Sequence, residues 1–338
     1  MTHSYVDFEA GSVRELLARA YEHAYDQGWT DGLPIIPATL EDVQQFIAAS
    51  GRRADELIGI VPPRKGEATV EAIAVNAIMA GCRPEYMPVV IAAVEGLTDP
   101  LFPLEPMQVS TNAMTPFLLI NGPVRRKLDI NCGVGCLGPG WRANATIGRA
   151  IRLILNNIGG ALPGVYSAAS FGSPLRYSYI CGENEEASPW MPFHVDRGFA
   201  RGQSTVTVFR ASNFCNLSGG EGVGPDEILR HIATSMPPMY GGGGVLLLLG
   251  ANHSQALHEA GLSKRDIQER LWELARFPVS YFAKAYAAAE RAAGRGDADT
   301  VWRSKSPDEI LIIVAGGPGP QDVYIGAGLP MTRLIHGS

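Results

Sequence analysis

Apolar residues recur at helical spacing in several windows of the chain. Val13, Leu16, Leu17, Ala20 and Tyr21 share one face of a predicted helix over 11–28, which Gly28 ends. Thr39 with Asp42 three positions on forms a capping box for a second, short helix. Further helices are predicted from Ala68 to Met79, from Pro84 to Gly96, and from Pro225 to about Ser235. A very regular one carries Ile147, Ala150, Ile151, Ile154, Leu155 and Ile158 on one face and stops at Gly159-Gly160. Near the C-terminus the pattern predicts helices at about 254–260, 263–276 (capped by Ser263 with Asp266) and 280–294.

Between these windows lie strand patterns. Residues 58–66 are extended, Phe117–Ile120 is a short apolar strand, and Thr205–Phe209 alternates. Val245–Gly250 and Glu309–Ala315 are continuous apolar runs of the kind buried on both faces of a parallel sheet. Gly316–Pro320 (GGPGP) reads as a glycine-rich strand-to-helix turn, and 161–202 as a long, mostly irregular passage. The predicted fold is α/β, with a three-layer mixed or mostly parallel sheet and ligands at the strand C-termini. Residues 1–57 are expected to wrap an α/β body over 58–338. A recurring helix–helix–strand order, at 68–121 and 225–250, leaves room for two similar packed halves, about 58–202 and 203–338.

Composition narrows the function classes. The chain has 338 residues, 46% hydrophobic and 18% charged, which suits a well-packed globular protein and argues against disorder. Net charge is −6, and the only basic cluster is Arg125-Arg126-Lys127, so a nucleic-acid surface is not expected. No stretch resembles a signal peptide or a membrane span. Five scattered cysteines do not read as a disulfide framework, and a reducing cytoplasm is the expected setting. Glycine clusters, including Ser218-Gly219-Gly220 and Gly241–Gly244, mark backbone turns of the sort that gather around sites.

The candidate chemistry lies in three stretches. The first is NCGVGCLGPGWR, Asn131 to Arg142, a glycine loop feeding a helix N-terminus. Its amides, with Asn131, Gly133, Gly135, Arg142 and Asn144, are expected to hold an anionic group. Cys132 and Cys136 sit in that loop as candidate nucleophiles, or as inert packing residues. The second stretch, 181–197, offers Glu183 and His194 as proton carriers, with Trp190 as an aromatic wall against the substrate; it also reads as a solvated acidic turn. The third is His253, directly after the buried strand at 245–250. No Walker, GxGxxG, GxSxG or HExxH pattern is present, and the sequence leaves the cofactor, metal or organic, open.

The phrases GWTDGLPIIPAT, ATVEAIAVNAIMAGCRPEYMPVV, NGPVRRKLDIN, GPGWRANATIGRAIRLILNNIGG and ENEEASPW resemble a bacterial family associated with, and sometimes fused to, UGSC-type (seleno)proteins. The resemblance runs from about residue 28 to 330. It implies sulfur-related chemistry and a UGSC-type partner, but assigns no catalytic residues. The expectation is a cytoplasmic, homo-oligomeric enzyme that cleaves a bond in a small, anionic metabolite or xenobiotic, by thiol-assisted lyase or hydrolase-like chemistry. Two alternatives stand beside it. One is a metal-dependent enzyme using scattered His, Cys and Glu ligands. The other is a non-catalytic subunit of a thiol or selenol enzyme complex. The composite site requires 131–142, 181–197 and 250–254 to converge.

Overall fold

A computed structural model describes residues 6–219, 222–236 and 244–337. Gly220 and Gly241–Gly243, from two of the glycine clusters, lie outside the described residues. The fold is α/β, built on a mixed seven-stranded sheet. Its strands are β1 (Thr115–Asn121), β2 (Ile180–Gly182), β3 (Thr205–Ala211), β4 (Cys215–Ser218), β5 (Val245–Leu249), β6 (Ile310–Val314) and β7 (Gln321–Leu334). Their spatial order is β6-β5-β7-β3-β1-β2, with β4 paired to β7.

This order is the same triplet used twice. β1 runs parallel to β2 and antiparallel to β3, and β5 runs parallel to β6 and antiparallel to β7. The triplets join where β3 and β7 pair antiparallel, Ala211 opposite Ala327 and Thr205 opposite Leu334. The correspondence groups β3 with β1 and β2. β7 is long enough for two jobs: its first residues pair with β4 and β5, its later ones with β3. The passage after β6 therefore leads into a strand and not into the helix expected after GGPGP. Asp322, Tyr324 and Gly326 in β7 alternate too irregularly in polarity for the period-two signal to show.

The sheet curls until its outer strands meet. Asn184 N, just past β2, donates to Val314 O of β6 (2.7 Å), and Gly316 N donates to Cys132 O (2.9 Å). Phe117, Leu119, Cys181, Phe209, Leu246, Leu248, Ile313 and Ile325 pack together on the enclosed face. The alternate residues of the same strands point outward to helices, because successive side chains of a strand face opposite ways. Leu118, Ile120, Val206 and Val208 meet α3 (Val70–Ala80), α4 (Met87–Leu97) and α5 (Arg142–Asn157). Leu247, Leu249, Ile310 and Ile312 meet α6 (Pro225–Thr234), α7 (Ala251–Glu259) and α8 (Lys264–Leu274).

The N-terminal segment lies on the first half. α1 (Val13–Asp26) precedes the GWTDG turn, whose Asp31 takes a two-pronged bond from Arg149 of α5 (2.8 Å each). α2 (Leu40–Ser50) starts with the expected Thr39–Asp42 capping box. Among the described residues no helix is long and apolar enough to cross a membrane.

Candidate functional site

Both strand pairs that run parallel end at clusters of polar residues, on opposite halves of the sheet. The first begins with the glycine loop. Asn144, in the first turn of α5, brackets it: Nδ2 donates to the carbonyls of Asn131 (3.0 Å) and Cys136 (3.1 Å), and Oδ1 accepts from Asn131 N (2.8 Å). The Asn131 side chain accepts from Gly133 N and donates to Val134 O (2.9 Å each). Cys136 N and Gly138 N are spent on the carbonyls of Gly133 and Gly135. The loop is thus closed on itself rather than open as an anion cradle.

Its interior is occupied by its own sulfur. A hydrogen bond from the Cys181 thiol lowers the Cys136 pKa; burial opposes this, and the amides of Gly316, Cys136 and Leu137 assist it. Cys181, wholly buried, is pushed well above the usual thiol range by that same bond and by burial. Cys132 is half-buried, and its pKa is raised by burial against the opposing pull of Arg125. Its position depends on Gly182, where a Cβ would come 3.1 Å from Cys132 Cβ and 3.0 Å from Arg125 Cδ.

Glu183 follows Gly182 at the end of β2, and its side chain is 0% exposed. Oε2 accepts from Asn121 Nδ2 (2.6 Å) at the end of β1 and from Phe193 N (2.7 Å). Oε1 has no hydrogen-bond partner among the described residues. Burial pushes the carboxyl up to about 7; the Lys264 charge, the Phe193 amide and the Asn121 amide oppose the rise and Glu185 adds to it. A buried carboxyl held near neutrality is a proton carrier by its physics.

Arg125 underlies the cluster, its side chain 4% exposed. Nη1 donates to Glu183 O (2.7 Å) and lies 3.7 Å from Cys132 Sγ. The guanidinium forms a fork on Glu186 (3.0 Å twice) and pairs with Glu185 Oε2 (3.0 Å). The Arg125 hydrogen bonds hold Glu186 down to about 2 against burial, with help from Arg126. Glu185 Oε1 accepts in turn from Gly122 N (2.7 Å) and Asn121 Nδ2 (3.0 Å). His194 is fully buried nearby, Nδ1 4.0 Å from Glu185 Oε1; burial lowers its pKa, so it is neutral at pH 7.

Residues 131–138 and 181–194 therefore come together, around Cys132, Cys136, Glu183 and His194. Three expected participants do not join them. Arg142 turns its guanidinium to the carbonyls of Gly81 (3.0 Å) and Cys82 (3.4 Å), where it neutralises the C-terminal end of α3. Trp190 packs against the second half's helices and donates to Leu262 O (3.1 Å), so it walls no part of this cluster. His253 lies in the first turn of α7, with Nδ1 2.8 Å from Asp322 Oδ2; Asp322 Oδ1 accepts from Gly250 N (2.9 Å). His253 lines a separate cavity of ≈ 420 Å³ with Ser218, Gly219, Glu227, His231 and Thr234. The Gly316–Pro320 loop links the two clusters: Gly316 N donates to Cys132 O (2.9 Å) and Gly319 N to Asn252 Oδ1 (3.4 Å), next to His253.

Asn121, Arg125 and Asp322 were not among the residues expected from the sequence, and Glu185 and Glu186 stood out only as members of the acidic run at 183–186, with Glu183 preferred. Arg125 stood out in the sequence only as part of the short basic run Arg125-Arg126-Lys127. Nothing in the sequence pairs it with the acidic run 60 residues on. Among the described residues no group of three or more His, Cys, Asp or Glu is arranged to hold a metal ion. No protein-family model matches the chain, and no curated protein is significantly similar to it.

Proposed function

We propose that this chain is an enzyme that cleaves a bond in a small molecule with the help of the Cys132 thiol. The observation that carries the reading is Arg125: one buried guanidinium nitrogen lies 3.7 Å from the half-buried Cys132 Sγ and donates to the main-chain carbonyl of Glu183, whose buried carboxyl is pushed up to about 7. In this reading Cys132 first loses its proton to solvent from the half-buried loop, the thiolate attacks an electrophilic carbon, and Arg125 steadies the sulfur's charge. Glu183 gives the departing group its proton and recovers one from the water that releases the adduct. A neutral electrophile suits the site better than an anion. Glu185 and Glu186 already saturate Arg125, and Arg142 faces α3.

The test is a panel of small neutral esters, thioesters and amides, followed by intact-mass and turnover measurements. A single adduct mapping to Cys132, absent in Cys132→Ser and slow to resolve in Glu183→Gln, supports the proposal. Turnover retained in Cys132→Ser overturns it. The half-buried thiol is also the group that would attack a disulfide or selenenylsulfide of a small partner protein, releasing the partner's second thiol or selenol, and intact-mass measurement with that oxidised partner would report the mixed adduct.

A second reading rests on the other half. Asp322 accepts from Nδ1 of His253 and so orients the imidazole beside a cavity of ligand size. Turnover lost in Asp322→Asn and kept in Cys132→Ser would favour proton-transfer chemistry there.

A further inference from the structure

Arg152 sits in the middle of α5 with Ile151, Leu153 and Leu155 around it, 6% exposed. Its Nε donates to Arg176 O (2.9 Å) and its Nη2 to Thr115 Oγ1 (3.1 Å). Arg176, in the turn Pro174–Arg176, directs Nε to Met114 O (3.2 Å) and Nη1 to Ser167 Oγ (2.9 Å). Its Nη2 is buried and has no hydrogen-bond partner among the described residues. Every acceptor on either guanidinium is neutral.

A buried charge without a counter-charge is costly, and two like charges side by side are worse. Burial first, and Arg176 second, hold the Arg152 pKa down to about 9. Arginine does not discharge at physiological pH. Asp31 is the acid that acts on Arg152, and its carboxylate is already bonded to Arg149. The two guanidiniums share a small cavity with Thr115, Ser178 and Tyr179, in which the centre of a single small group has ≈ 10 Å³ of free space. Ser178 Oγ donates to Asn144 O and Tyr179 Oη to Asn213 O, so no lining group supplies negative charge.

We propose that this cavity binds a monovalent anion of halide size, chloride in the first instance, between Arg152 and Arg176. A water would satisfy Arg176 Nη2 and leave the charge unbalanced. Phosphate or sulfate exceeds the space. The site lies at the Thr115 end of β1, whereas Asn121 and Glu183 lie at the other end, so it stands independently of the chemistry proposed above. Its effect is to clamp the irregular passage carrying Ser167 and Arg176 onto α5 and the sheet.

Crystals grown in bromide, and thermal unfolding of the full chain in chloride against gluconate at constant ionic strength, test this. The expected map has one anomalous peak between the guanidiniums. The folded-to-unfolded ratio should rise about tenfold per tenfold chloride above the dissociation constant. Arg152→Met, with an apolar side chain of similar length, should lose that dependence. Should it fail to fold, Arg176→Gln at the half-exposed partner carries the same expectation. A map with no anomalous peak, a chloride-independent midpoint, or an unchanged dependence in the folded variant overturns the proposal.

Discussion

Nη1 of Arg125 lies 3.7 Å from the sulfur of Cys132, on a guanidinium that is otherwise committed to two glutamates. The pair joins the residue just after β1 to the loop that crosses over β2. Removing the cation leaves Glu185 and Glu186 facing each other at the edge of the core. Arg125→Met is therefore expected to cost about 3–5 kcal/mol, the usual penalty for breaking a buried pair from one side. Urea unfolding reads the loss. Iodoacetamide labelling of Cys132 should also slow below pH 9, because the group that opposes the rise in the thiol's pKa is gone.

Glu183 makes stability pH-dependent in a direction opposite to most carboxylates. Its folded pKa of about 7 stands above the ordinary 4.5, so the folded state holds its proton more tightly. Its contribution is full below about pH 4.5 and is lost as pH rises towards and through 7. The rise corresponds to on the order of 3 kcal/mol. Unfolding free energies measured from pH 5 to 8 should fall more steeply in the native chain than in Glu183→Gln. Parallel curves would remove Glu183 as a proton carrier.

Gly182 is the position where backbone, Arg125 and Cys132 crowd together. Gly182→Ala puts a Cβ 3.0–3.1 Å from both side chains, so each must give by a few tenths of an ångström. A modest destabilisation of about 1–3 kcal/mol is expected, as for overpacking generally. The Cys132 labelling rate should change with it, while Cys136, held by Cys181 and loop amides, should stay unlabelled until unfolding.

Asp322→Asn tests whether the two clusters are separate. It weakens a charge-assisted bond to His253 and should cost about 1.5–3 kcal/mol. Cys132 labelling should be unaffected, since the residues around that cavity come from 218–234 and from α7. A parallel change in labelling would show that the sites act as one.

Asp31→Asn addresses the N-terminal segment. Burial works against the Asp31 carboxylate, but the Arg149 hydrogen bonds and charge prevail, and its pKa is lowered. Its stabilisation is thus present above pH 3.8 and lost as pH falls below it. The variant should release the 29–34 turn from α5 near neutral pH, measurable as faster proteolysis there.

The elements of this protein are local facts and were readable as such. Helix periodicity, the Thr39–Asp42 and Ser263–Asp266 capping boxes and the apolar runs at 117–120, 245–249 and 310–314 depend on neighbours within a turn or a strand. The placing of Glu183 and His253 just after apolar strands is likewise local, since loops leave a parallel sheet where its strands end. β7 escaped because its residues face different partners along its length, which blurs the alternation.

What the tertiary structure alone decided is which charges face which. The basic run at 125–127 reads as surface until β1 and β2 pair and bring 183–186 against it; only then is Arg125 buried and Glu183 pushed towards neutrality. The amide-rich loop at 131–138 reads as an anion cradle until Asn144 and Gly316 close it on Cys136. Arg142 and Arg152 stand three turns apart on one helix and are indistinguishable as letters. One finds the carbonyl end of α3, and the other is sealed beside Arg176. Charge–charge energies depend on distance and burial, and both are set here by segments 24 to 61 residues apart in the chain.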